Sequence, residues 1–125
     1  MWKDIILKQL RKNGRLFGAK IKVVDWMKVQ NYLSDAANVI NTTSLGMVGK
    51  ADLPIPLDKL RKNTLVTDIV YTPLKTPLLA YASKNGCRIV DGLGMLIYQA
   101  IPGFERWFGV KPADSKDLRE LLLKR

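Results

Sequence analysis

A chain of 125 residues that is 47% hydrophobic and 26% charged has the length and balance of one globular domain with a single core. It has no histidine and a single cysteine, Cys87. That excludes Ser-His-Asp chemistry, histidine or thiolate metal sites and an internal disulfide, and leaves any acid-base work to Asp, Glu, Lys or Tyr. Twenty-one Lys and Arg against eleven Asp and Glu give a formal net charge of +10, so anionic partners are the first class to weigh.

The charge is uneven. Residues 1–28 carry eight of the cations against Asp4 and Asp25. Such an arm could meet nucleic acid or a phosphorylated ligand. Its cations, however, follow a helical spacing and lack the interleaved aromatics of single-strand binders, so a solvated face is the favoured reading and nucleic acid is not expected. No apolar run approaches the roughly 18 residues of a membrane span. The charged start, with no small-residue cleavage site, implies no signal peptide and a cytoplasmic setting.

In chain order, Trp2, Ile5, Ile6, Gln9 and Leu10 share one face of a helix predicted over residues 2–13, with Gly14 as its stop. The β-branched run 20–24 reads as a first strand. Residues 27–33 suit a short helix broken at Ser34 and Asp35. Residues 37–40 form a second strand that runs into Asn41-Thr42-Thr43-Ser44-Leu45-Gly46-Met47. Hydroxyls and an amide at the end of a strand can bond a ribose or a carboxamide, or satisfy turn backbone. Pro54 and Pro56 mark an irregular crossing with a helical turn at 57–60.

Residues 65–71 are the clearest strand, followed by a turn at Thr72-Pro73-Leu74-Lys75. Thr76 and Pro77 open a helix as N-cap and first-turn proline; it runs to about Asn85, and Gly86 closes it. Residues 88–90 are the fourth strand. A glycine turn and a helix carrying Gln99, read as a buried polar side chain, come next. Pro102 and Gly103 are expected to interrupt that helix, with Phe104, Trp107 and Phe108 joining the core. Asp114 and Asp117 cap a last helix whose Leu118, Leu121 and Leu122 face inward. Cys87 reads as a small apolar filler. Strands separated by helices indicate an α/β fold with about four mostly parallel strands flanked by helices.

Gly92-x-Gly94 after a strand looks like the start of a dinucleotide fingerprint, but Ile97 stands where the third glycine belongs. The residues alone therefore favour a tight βα turn that needs glycine for its dihedrals. Taken with 41–47 and with Asp68-Ile69-Val70-Tyr71-Thr72-Pro73-Leu74-Lys75-Thr76-Pro77-Leu78-Leu79, however, Gly92-Leu93-Gly94-Met95-Leu96-Ile97-Tyr98-Gln99-Ala100 resembles the shikimate dehydrogenase family. The order and spacing agree, Phe104-Glu105-Arg106-Trp107-Phe108-Gly109 extends the match, and the resemblance covers roughly residues 15–124.

The resemblance implies a partial Rossmann-like, three-layer domain. It also implies an NADP-dependent interconversion of shikimate and 3-dehydroshikimate in aromatic amino acid biosynthesis. Asn41, Thr42, Thr43 and Ser44 would line the cofactor cleft. Ile69 and Gly92, the latter through its carbonyl, would meet the nicotinamide end with Met95 beside the ring, while Tyr71 and Gln99 would reach the substrate. The family's catalytic lysine and aspartate, its glycine-rich phosphate loop and its adenosine-phosphate grip have no counterpart here. Lys75 and Asp68 lie in a different motif. Weak NADP binding and no unaided turnover are thus implied, as for a truncated enzyme. The alternatives are a half-enzyme completed by a second chain and a non-catalytic basic interaction module.

The family's strand order 3-2-1-4-5-6 would leave the strand at 37–40 with a bare edge. Residues 21–24 are expected beside it, or else two chains associate edge to edge.

Overall fold

The computed structural model describes residues 22–112 and 116–124. The helix expected over 2–13, its stop at Gly14, most of the basic arm and the Asp114 cap lie outside the described residues, as does the side chain of Asp117.

Residues 22–24 adopt no regular structure. Asp25 then caps a 3-10 helix, Trp26–Tyr32, its carboxylate accepting from the Met27 amide. The Lys22 ammonium sits over the Tyr32 ring, 4.9 Å from its centre. Three strands follow: β1 (Asn38–Asn41), β2 (Leu65–Asp68) and β3 (Arg88–Val90), all parallel in the order β1-β2-β3. The helices are α1 (Pro77–Lys84), α2 (Gly92–Phe108) and α3 (Lys116–Leu123). The sheet therefore has three strands among the described residues, not four. Among those residues β1 has no neighbour on its outer side, and Val23 does not pair with Val39. The β-branched run at 22–24 lacks what makes such a run a strand, a partner for its backbone groups.

Parallel register puts Val39, Val66 and Ile89 in one row across the sheet. Val66 is fully buried there, in a core with Leu33, Leu60, Leu78, Leu79 and Ala82. In α1 the residues Leu78, Leu79 and Ala82 form the buried stripe, as a helix with one covered face requires. Each large aliphatic side chain buried here contributes roughly 1.5–3 kcal/mol. Thr76 is the N-cap, Pro77 occupies the first turn, and Gly86 takes the left-handed conformation (φ +79) just past the Asn85 cap. Cys87 is half-buried, its thiol donating to the Arg61 carbonyl, and burial pushes its pKa up.

The next row, Ile40, Thr67 and Val90, points to the opposite face. Ile40 is 59% and Val90 46% exposed, so that face is only partly covered. The far half of α2 is equally open. The helix continues through Pro102 and Gly103 to Phe108, contrary to the expected interruption. Proline forfeits one backbone bond, a loss the helix tolerates where Pro102 lies exposed on its solvent side. Phe104 and Phe108 stack on each other, ring centres 4.5 Å apart, one turn along the helix. These two and Trp107, at 82%, are exposed, not core. Leu118, Leu121 and Leu122 of α3 are also exposed, and so is Gln99 on α2. Periodicity marks an apolar stripe correctly but does not supply the element that covers it. No helix among the described residues is long and apolar enough to cross a membrane.

Candidate functional site

β1 and β2 end in register, Asn41 opposite Asp68, and the Ile69 amide donates to the Asn41 carbonyl just beyond. Both strands then release loops at the carboxyl edge of the sheet. Open α/β sheets take their ligands at that edge. Three buried polar side chains tie these loops together. The Asn41 amide donates to the Asp68 carboxylate (3.1 Å) and to the Leu45 carbonyl (3.1 Å), while its oxygen accepts from the Thr43 amide and hydroxyl (3.0 and 2.7 Å). Both its protons and both its lone pairs are thereby engaged.

Asp68, fully buried, accepts also from the Val70 amide (3.0 Å) and from the Thr76 hydroxyl (2.7 Å). Thr76 in turn caps α1 by accepting from the Leu79 amide. One carboxylate thus joins the end of β1, the end of β2 and the start of α1. No buried side-chain nitrogen or oxygen among the described residues lacks a partner. A satisfied network of this kind is rigid, because breaking any member strands the others in a dry interior.

Above the network the loops cross. The Val48 amide donates to the Thr72 carbonyl (3.0 Å), and Gly46, at φ +85, lets the first loop double back so that its amide reaches the Ala51 carbonyl. Between them lies a cleft of about 290 Å³ lined by Thr42, Thr43, Ser44, Met47, Ile69, Val70, Tyr71 and Thr72. Its walls are mainly apolar. Among the described residues the hydroxyls of Thr42, Ser44 and Tyr71 have no hydrogen-bond partner. A flat ring edged with hydrogen-bonding groups suits such a space.

α2 begins against the same corner. A Cβ at Gly92 would run into the Ile69 carbonyl and come within 2.8 Å of the Val70 oxygen, so only glycine lets the helix approach this closely. Asp91 caps the helix by accepting from the Leu93 amide, and its second oxygen receives Arg119 of α3. That bond holds the Arg119 guanidinium above its ordinary pKa.

The residues singled out from the sequence fall into three groups. Thr42, Thr43, Ser44, Ile69 and Tyr71 line the cleft together. Asn41 lies beneath it and organises the loop, and Gly92 abuts its rear wall through Ile69 and Val70. Met95 and Gln99, one and two turns along α2, are exposed and not part of the lining. Sequence reasoning missed Asp68, Thr76 and Asp91 as the groups that hold the site, and Met47, Val70 and Thr72 as lining. The signal for Asp68 was present: a carboxylate ending an apolar strand, eight residues before a threonine N-cap.

Comparison with known proteins agrees with this geometry. Residues 92–123 match the family model of the shikimate 5'-dehydrogenase C-terminal domain. A shikimate dehydrogenase (NADP(+)) of Cereibacter sphaeroides (strain ATCC 17025 / ATH 2.4.3) is 60% identical over 107 residues, 86% of this chain and 38% of that protein. This chain is related to the shikimate dehydrogenases through their carboxyl-terminal part. The shikimate dehydrogenase (NADP(+)) of Paracoccus denitrificans (strain Pd 1222) is 57% identical over the same share of each chain.

Among solved structures, the quinate dehydrogenase of Corynebacterium glutamicum in complex with NAD superposes with a TM-score of 0.74 at 33% identity, over 82% of this chain and 36% of that one. The shikimate 5-dehydrogenase of Listeria monocytogenes in complex with shikimate and NAD gives 0.65 at 33% identity, over 78% and 34%. The fold is accordingly Rossmann-like, a small parallel sheet flanked by helices. The chain spans about two fifths of the length of the curated relatives it matches.

Proposed function

We propose that this chain forms the nicotinamide side of an NADP-dependent dehydrogenase that interconverts 3-dehydroshikimate and shikimate in the cytoplasm, and that it does not turn over substrate unaided. The observation that carries the reading is the cleft at the carboxyl edge of β1 and β2, where the expected residues Thr42, Thr43, Ser44, Ile69 and Tyr71 converge. Its apolar walls fit the nicotinamide ring, and its hydroxyls fit the attached ribose and carboxamide. When bound, the nicotinamide supplies the hydride acceptor. The chain's own contribution is positioning: Met47, Ile69 and Val70 keep water from the ring face, and the Thr42 and Ser44 hydroxyls orient its polar edge. The Gly92 carbonyl and Met95 side chain complete this side from α2, and Tyr71 and Gln99 reach toward the substrate.

Two things limit activity. Among the described residues no glycine-rich loop offers the pyrophosphate a cradle of amides at a helix N-terminus, which carries much of a dinucleotide's affinity. Asp68 is enclosed in its network, and among the described residues Tyr71 is the one titratable side chain lining the cleft. Without a general acid-base pair, the rate falls by about 10² to 10⁴, and loss of substrate positioning adds to that.

A second reading is favoured by the exposed Trp107 and its neighbours on α2 and α3. On this reading a separate polypeptide bearing the substrate-binding half covers that face and completes the enzyme. Edge-to-edge association of two copies along the outer side of β1 is the further arrangement an open strand permits. An NADP-reduction assay with shikimate separates these states. The chain alone should stay at the blank rate, and a mixture with a substrate-domain polypeptide should turn over only if the second reading holds. Steady unaided turnover would overturn the proposal.

A further inference from the structure

The opposite edge of the sheet carries a second concavity, independent of the dehydrogenase reading. A cleft of about 340 Å³ is lined by Asp35, Ala36, Ala37 and Asn38, by Arg61, Lys62, Asn63 and Thr64, and by Arg88. These are the segments that lead into β1, β2 and β3, so parallel topology gathers them at the amino-terminal ends of all three strands. Four strand residues at about 3.3 Å each put this cleft some 13 Å from the carboxyl edge.

Three cations meet there. Among the described residues neither Lys62 nor Arg88 has a carboxylate partner, and the one acid in the lining, Asp35, forms no ion pair with any of the three. The setting is rigid. The Arg61 guanidinium is oriented by one bond to the Ser34 carbonyl (3.1 Å), which leaves its other N–H donors available. Asn63 holds a left-handed turn (φ 69), fastened by its amide to the Gly86 carbonyl (3.1 Å). The buried Thr64 hydroxyl bonds the Ala36 carbonyl, locking the first segment to the second. Cations that line one cleft without being ion-paired to its acid repel one another until an anion joins them. Two guanidinium groups, an ammonium and two amides in a concave space match the oxygens of a phosphate.

We propose that this cleft binds the phosphate group of a small phosphorylated compound. The test is a titration of the isotopically labelled chain followed through its backbone amide resonances. The probes are inorganic phosphate, glycerol 3-phosphate and a short DNA duplex, at ionic strength held constant with sodium chloride. Saturable shifts confined to residues 35–38, 61–64 and 88 are expected with both small phosphates, and the monoester should bind at least as tightly as the free ion. Lys62→Ala with Arg88→Ala should weaken binding at least tenfold, and Arg88→Gln alone about threefold. Lys50→Ala, at the other edge, should leave it unchanged. Non-saturating shifts, equal shifts with sodium chloride alone, tighter binding of the duplex than of the monoester, or full binding by the double variant would each overturn the proposal.

Discussion

The two sides of this molecule are finished to different degrees. On the α1 side every group has its counterpart: Val66 and Leu79 are fully buried, and Asp68, Asn41 and Thr76 satisfy one another. On the α2–α3 side the first turns of α2 are packed, with Leu93 and Ile97 buried, but Trp107, Phe108 and Leu121 stand in solvent. The α1 side can hold itself together, because its apolar stripe and its cover both lie in residues 33–87. The α2–α3 side presents a surface whose cover is not among the described residues. Exposed apolar area of that kind marks an interaction face more often than a solvated one.

The largest effect that would break this contrast is removal of the carboxylate at its centre. Asp68→Ala strands the Asn41 amide, the Val70 amide and the Thr76 hydroxyl, and should cost roughly 3 kcal/mol or more of folding stability. A urea melt reads this directly, and an unchanged midpoint would show that the network contributes nothing. Gly92→Ala should come next, at about 1–3 kcal/mol, since its Cβ must displace the Ile69 and Val70 backbone. The resonances of the cleft should move with it, which a purely helical effect would not produce.

Thr76→Ala removes the α1 cap and one bond to Asp68, for about 1–2 kcal/mol, and Thr76→Ser should recover most of it. On the open side the prediction is near-silence. Trp107→Ser and Phe108→Ser should each shift stability by no more than about 0.5 kcal/mol while reducing binding of a hydrophobic dye. A large loss would mean that these rings are packed after all. The smallest effect concerns Cys87. Because burial raises its pKa, alkylation at neutral pH should run slower than for a free thiol and quicken only above the ordinary thiol range.

Local chemistry carried much of this into the sequence. Thr76, Pro77 and Gly86 bound α1 there as they do in the fold, and the strand at Arg88–Val90 is legible residue by residue. The cleft was legible as well, since Thr42, Thr43, Ser44, Ile69 and Tyr71 follow directly on strand ends. The strand expected at 20–24 was not, because a strand needs a partner and pattern alone cannot name one. Gln99 read as buried because an amide in an apolar helical stretch resembles a core position. Its exposure depends on what lies beside α2.

The amino-acid order by itself determined whatever a few neighbouring residues can settle: caps, turns, the left-handed glycines and the alternation that makes a strand. Tertiary structure alone decided which of those faces is covered and which strand has a neighbour. It also decided that a carboxylate at the end of one strand would close its bonds on an amide 27 residues earlier and a hydroxyl eight residues later. The physical reason is range. Dihedral preference and capping act over one turn of chain, whereas burial and the pairing of buried polar groups depend on segments that meet only once the chain has folded.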